Sequence, residues 1–329
     1  MSALFGKSDS DERTVLLVDI ENGSVASALA QLSHTQQPRL FAEHRVALPV
    51  LHTVSGAEIA RRVERAVEES LDHTSRIAAR IRQDRRYAPM GRIRGAHLFF
   101  GPPWTTTSRG EERLQWKFEP SVVDYVRRST ESVVGSEPIA HHPFGRAATH
   151  TSNTLFAGSV LLCIVTGEVT ELLVIEDDHL IGRATVPLGT HTALRTLKVH
   201  AGLSIPEAHS ALQLYRRSSD DPLSLAEPLR ASFDHFVEQF VEASRELLTL
   251  HPVDTIAVIA PEPMGEWFAR ALATHTKTVQ LFPNGGTTRD IRAKHLAPHV
   301  SAHATNPDIH LMIEALFAHS LQNFGNAIQ

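Results

Sequence analysis

Val15–Leu32 reads VLLVDIENGSVASALAQL, and Leu161–Ile175 reads LLCIVTGEVTELLVI. Each is an apolar run, a short glycine-bearing turn and a second strand-like run. Each then leads into a third such run and a helix-like segment. One βββα pattern therefore occurs twice, about half a chain apart. The repetition predicts two related α/β lobes facing each other across a cleft. Within the first copy, Asn22-Gly23 predicts a type I′ hairpin turn, in which both central residues take φ > 0.

Around these copies the chain is long enough for two domains, at 329 residues. Residues 1–13 are polar and read as a flexible N-terminus. The first lobe is expected over 14–150, with a small α+β subdomain inserted at about 87–150. The second lobe is expected over 151–329. Apolar spacing predicts a long helix from Glu58 to Arg86 and a strand at Ala96–Phe100. Glu137 to His150 has no period and reads as a loop or linker. In the second half, Thr255–Ala260 and Val279–Phe282 read as strands, and Asp308–Leu321 as a closing helix.

Composition excludes several classes. A formal charge of −5 leaves no global nucleic-acid footprint. A single cysteine, Cys163, permits no disulfide framework and reads as a core thiol. No apolar run reaches the ~18 residues of a membrane span, and the start lacks a signal-peptide core; a cytoplasmic protein is expected. Arg76–Arg94 is rich in arginine, but the preceding half of that helix interleaves Glu and Arg as a solvated face does. Twenty histidines are scattered; His141, His142 and His150 lack the spacing of a zinc site. No G-x-S-x-G elbow supports a serine hydrolase.

Four stretches carry a resemblance. They are Asp19-Ile20-Glu21-Asn22-Gly23-Ser24-Val25, Pro103-Trp104-Thr105-Thr106-Thr107-Ser108-Arg109, Gly167-Glu168-Val169-Thr170-Glu171 and Ala184-Thr185-Val186-Pro187-Leu188-Gly189. In this order the chain resembles the actin-like ATPase superfamily of sugar kinases, Hsp70 and actin. Within it, the likeness is closest to the bacterial FtsA and PilM group of cell-division and type IV pilus-assembly proteins. The first stretch is similar to the family's first phosphate loop, DIGSGSV, and the third to its second, DVGGEVTDL. The fourth resembles the strand end that follows. The second is similar to the PW-x-x-S-x-T-R segment of pilus-assembly relatives. The resemblance spans about residues 14–320. It implies duplicated actin-like (ribonuclease H-like) βββα lobes around a central cleft.

It also implies ATP or ADP with Mg²⁺ in that cleft. The residues it places there are Asp19, Asn22, Gly23, Ser24, Gly167, Glu168, Thr170 and Gly265, with Asp19 holding the hydrated metal. Hairpin turns suit this task because successive N–H groups converge on one anion, and glycine admits close approach. No catalytic base is identified.

The departures point the other way. Glu21 stands where the family has glycine, Ile164 where the second loop has Asp, and Thr166 where that loop has its first glycine. Glu21 and Glu168 bring negative charge to a triphosphate site, and neither loop contains Lys or Arg. In place of the late GG pair the chain has Pro261-Glu262-Pro263-Met264-Gly265. The expected function is a cytoplasmic scaffold of a pilus-assembly or cell-division machine, with nucleotide binding weak or lost. By the resemblance it binds a protein partner, such as the cytoplasmic tail of a membrane protein, at the inner face of the membrane, and self-association is possible for such relatives. The alternative is an active ATPase or phosphotransferase using Mg-ATP.

Overall fold

Both apolar repeats fold as hairpins at the heart of a sheet. The structure, a computed structural model, describes residues 12–50, 55–83, 91–109, 114–177, 179–215, 226–262, 264–282 and 286–325. Most of the expected N-terminal tail, the end of the arginine-rich helix and Pro263 lie outside the described residues.

In the first copy, β1 (Glu12–Ile20) pairs antiparallel with β2 (Ser24–Ser33), and β2 with β3 (Arg39–Ala47). α1 (Gly56–Gln83) crosses over to β4 (Ile93–Phe100), which lies parallel to β1. The hairpin of β5 (Thr105–Arg109) and β6 (Leu114–Phe118) and helix α2 (Pro120–Val134) follow, then β7 (Ile139–Pro143) parallel to β4. Helix α3 (Phe144–Leu155) leads into the second copy. There β8 (Val160–Val165), β9 (Thr170–Glu176) and β10 (His179–Val186) form the antiparallel trio. Helices α4 (Thr190–Ala201), α5 (Ile205–Tyr215) and α6 (Ala226–Leu250) precede β11 (Thr255–Ile259), parallel to β8. Then come α7 (Met264–Thr274), α8 (Thr276–Val279), β12 (Thr287–Asp290), α9 (Ala293–Leu296), β13 (Ser301–Ala302) and α10 (Ile309–Gly325).

The sheet orders are β13-β3-β2-β1-β4-β7 and β10-β9-β8-β11-β12. Leaving out β13, the two orders correspond strand for strand, so the duplication read in the sequence is a duplication of topology. β13 pairs with β3, so the chain's last part returns from the second lobe to the first.

Two helices, α3 and α10, lie between the sheets. One core unites them with Val15, Leu17 and Phe99 from the first sheet and Leu162, Ile164 and Ala257 from the second. β2 turns Ala26, Ala28 and Ala30 to this layer, and small side chains let α10 approach closely. α1 and α2 cover the outer face of the first sheet. α4 to α7 cover the outer face of the second.

Three local expectations fail, each for a physical reason. Glu137–His150 is not a loop: it forms β7 and most of α3. The buried residues of α3 include Gly145, Ala147, Ala148, Thr149, Thr151 and Ser152, so the helix is wedged between sheets by small groups and shows no apolar period. Val279–Phe282 is not a strand: α8 and a turn occupy it, and the edge strand is the polar β12. The Asn22-Gly23 turn is not type I′, since neither residue has positive φ; Glu21 N–H donates to Ser24 O across it at 3.0 Å.

Of the stretch about 87–150, β4 and β7 belong to the main sheet, and β5, β6 and α2 stand outside it. The β5–β6 hairpin reaches the second lobe. Arg183 of β10 donates to Thr105 O at 3.0 Å, pairs with Glu171 at 2.5 Å and lies 5.3 Å from the Trp116 ring centre. Trp104 and Cys163 are buried core residues.

Candidate functional site

The two glycine hairpins meet tip to tip. A Cβ added to Gly23 would lie 2.6 Å from Gly167 Cα, and one added to Gly167 would lie 2.4 Å from Gly23 Cα. Glycine is required here for backbone contact between the lobes, not for positive φ. Asn22 closes the junction. Its Oδ1 accepts from Glu168 N–H at 2.7 Å, and its Nδ2 donates to Pro102 O at 2.7 Å and Thr166 Oγ1 at 3.0 Å. The start of α4 also bonds inward: Thr190 N–H donates to Thr166 O at 2.9 Å and His191 N–H to Gly167 O at 2.8 Å. A phosphate does not fit between the hairpins as they stand, because glycine backbone fills the gap and a side chain takes the Glu168 N–H.

Each hairpin glutamate is neutralised by groups from outside its loop. Glu168 receives Arg195 in a two-pronged bond, at 2.9 and 2.7 Å, and faces His191 Nδ1 at 3.0 Å. Burial alone would raise its pKa; the bonds from His191 and Arg195 outweigh that and lower it to about 2.

Glu21 is buried in a denser cluster. His310 Nδ1 contacts Glu21 Oε1 and lies 3.6 Å from Asp19 Oδ2. Arg45 of β3 joins the cluster, with Nη2 2.7 Å from Asp19 Oδ2, Nε 2.5 Å from Asp308 Oδ2 and Nη1 2.6 Å from Ser24 Oγ. Asp308 also caps α10, its Oδ1 accepting from His310 N–H at 3.0 Å and Leu311 N–H at 3.2 Å. That cap sets the first helical turn and with it the His310 ring. Burial disfavours charge on His310, but Glu21 and Asp19 outweigh it and push its pKa up to about 10. Glu314, one turn on, is raised well above the carboxylate range by burial and by Asp19, so it holds its proton.

The expected site residues thus fall into groups. Asn22, Gly23, Gly167 and Glu168 come together at the junction. Asp19 and Ser24 join the cluster around Arg45. Thr170 turns away, donating to Leu188 O at 2.8 Å. Gly265 lies in the first turn of α7, where its neighbour Met264 lines a cavity of 480 Å³ between the lobes. Leu48, Pro49, Leu194 and Ile205 give that cavity apolar walls, and Glu21, Ser24 and Arg45 form its polar end.

Sequence reading missed Arg45, Arg195, Asp308, His310 and Glu314. One signal existed: in Asp308–Leu316, DIHLMIEAL, an apolar helix carries His310 and Glu314 four apart on one face. His142, weighed above as a metal ligand, instead bonds His97 at 3.0 Å. Burial lowers its pKa to about 3 and that of His97 to about 4.

Among the solved structures that share this architecture are two of similar size. One is that of the PilM-PilN type IV pilus biogenesis complex, similar over 93% of this chain and 96% of that chain, with TM-score 0.56 and 11% identity. The other is the ethanolamine utilization protein EutJ from Carboxydothermus hydrogenoformans, similar over 84% of each chain, with TM-score 0.53 and 14% identity. No protein-family model and no curated protein matches the sequence. At these identities the likeness is one of fold, and the fold is the duplicated actin-like one.

Proposed function

We propose that this chain is an actin-like scaffold, of a pilus-assembly or cell-division machine, that binds a protein partner and has weak or lost nucleotide binding. The observation that carries the reading is the direct contact of Gly23 with Gly167, tied by Asn22 to Glu168 N–H. Groups that would face a phosphate face each other. The lobes are thereby joined without a bridging ligand, and what remains is a shaped surface. The PilM-PilN complex contains a protein partner, which supports the partner-binding part of the reading. A partner tethered in the membrane would bring this chain to the inner face, since among the described residues no helix is long and apolar enough to cross a membrane.

The alternative is an active ATPase or phosphotransferase using Mg-ATP. It is favoured by the 480 Å³ cavity, which reaches both hairpins. Calorimetric titration with ATP and ADP, with and without Mg²⁺, decides between them, with Asp19→Ala as control. The scaffold reading expects no heat and no thermal stabilisation at millimolar nucleotide. Micromolar, Mg²⁺-dependent binding that Asp19→Ala abolishes would overturn it.

A further inference from the structure

The β5–β6 hairpin leaves the first lobe after β4 and returns to it at α2, yet it is fastened to the second lobe. Its root binds the glycine junction. Gly101 N–H donates to Ile20 O at 2.9 Å, and Pro102 O accepts from Asn22 Nδ2 at 2.7 Å. At Thr105, where β5 begins, the carbonyl accepts from Arg183 Nη2 of β10 at 3.0 Å. The same guanidinium lies 5.3 Å from the ring centre of Trp116 on β6. A Cβ on Gly145 would meet Trp116 Cη2 at 2.6 Å and Leu173 Cδ1 at 3.0 Å, so the indole lies against α3 beside β9 of the second lobe. One short stretch of chain thus joins Asn22, which closes the junction, to Arg183 of the opposite lobe. We propose that the β5–β6 hairpin is a strap that holds the two lobes closed, with Arg183 as its fastening.

The fastening is polar and preorganised. Glu171 sits on the neighbouring strand of the same lobe, is fully buried and pairs with Arg183 Nε. It therefore orients the guanidinium whether or not the strap is engaged, and acts as a positioning residue. The bond to Thr105 O and the contact with Trp116 are the two that cross between lobes. Breaking them returns a carbonyl and one edge of a guanidinium to water, which satisfies both. The layer of α3 and α10 behaves differently, because it is one apolar core shared by both sheets, and parting it would expose that core. Release of the strap therefore swings the lobes about that layer and draws the hairpin tips apart with each lobe still folded. The contact of Gly23 with Gly167 is backbone against backbone and lasts only while the lobes are held at this distance. The strap concerns how the lobes are held, so it stands apart from the partner-binding reading above.

Two variants of the full chain test it. Arg183→Lys keeps a positive charge beside Glu171 but loses the fork that reaches Thr105 O and the flat face turned to Trp116. Trp116→Leu removes the ring and leaves the buried Glu171–Arg183 pair in place. Amide hydrogen exchange, resolved to single residues, compares Glu168 N–H at the junction with the N–H groups of β8 in the core. The expected result in each variant is exchange about tenfold faster at Glu168, the scale of one lost hydrogen bond, with β8 unchanged. Arg270→Lys, which alters a guanidinium over Trp267 within α7, should leave both unchanged. Exchange at Glu168 as slow as in the wild type, in either folded variant, overturns the proposal. Acceleration of equal size at β8 overturns it as well, because the fold as a whole would then be weakened. If Arg183→Lys fails to fold, Trp116→Leu decides alone.

Discussion

Glu168 and Glu21 flank the same Gly23–Gly167 contact but are neutralised from different distances along the chain. Glu168 is met by His191 and Arg195, on the helix that follows its own hairpin. Glu21 is met by His310, which arrives on the last helix after the chain has built the whole second lobe. The Arg195 side chain is 25% exposed, whereas His310 is 1% exposed. Two copies of one unit thus keep the backbone and separate in how they hold charge: a local, half-open pair in the second and a long-range, buried one in the first. The buried arrangement ties α10 to the first lobe, and its removal should cost more.

The largest effect is expected for His310→Ala. It strands the buried Glu21 carboxylate and should destabilise the fold by about 3–5 kcal/mol. Denaturant unfolding measures it, and a loss no larger than that of an Arg195 variant would erase the contrast. Gly167→Ala comes next, at about 2–3 kcal/mol, because its Cβ would meet backbone atoms that cannot yield cheaply. A neutral Gly167→Ala in thermal melts would mean that the hairpins do not touch in solution. Asn22→Ala should cost about 1–2 kcal/mol by leaving the Glu168 N–H unpaired. Amide exchange at Glu168 should quicken, and an unchanged rate would remove Asn22 from the junction.

The smallest effect is expected for Arg195→Met, at about 1 kcal/mol, because solvent screens the pair and His191 remains. It also sets a pH dependence. The Glu168 pKa is about 2 in the fold against an ordinary 4.5. Its stabilisation is therefore complete above pH 4.5 and is lost as pH falls toward 2. In Arg195→Met that acid loss should shrink, as a pH series of unfolding midpoints would show.

The hairpins, the duplication and their order were legible because they are local: apolar runs and glycine turns need only neighbours in sequence. α3 was not legible, since a helix squeezed between two sheets is made of Gly, Ala, Thr and Ser and carries no apolar stripe. The edge strand β12 was missed for a related reason. It is polar and short, while the apolar Val279–Phe282 beside it forms a helical turn. Asn22-Gly23 was recognised as a turn, but its glycine was assigned the wrong task, because only the opposite hairpin shows that a Cβ is excluded.

Sequence alone determined that Asp19, Glu21, Gly23, Gly167 and Glu168 sit at two equivalent strand ends, and that two such ends face one another. It also showed that the first loop carries Glu21 where the family it resembles carries glycine, and that neither loop contains Lys or Arg. Only the tertiary structure decided what answers that acid. Arg45, Arg195 and His310 come from a third strand, a following helix and the C-terminal helix, 26 residues from Asp19 for Arg45, 27 from Glu168 for Arg195 and far along the chain for His310. A charge in a core is stabilised by whatever side chain the fold brings within a few ångströms, and separation along the chain places no limit on which one that is.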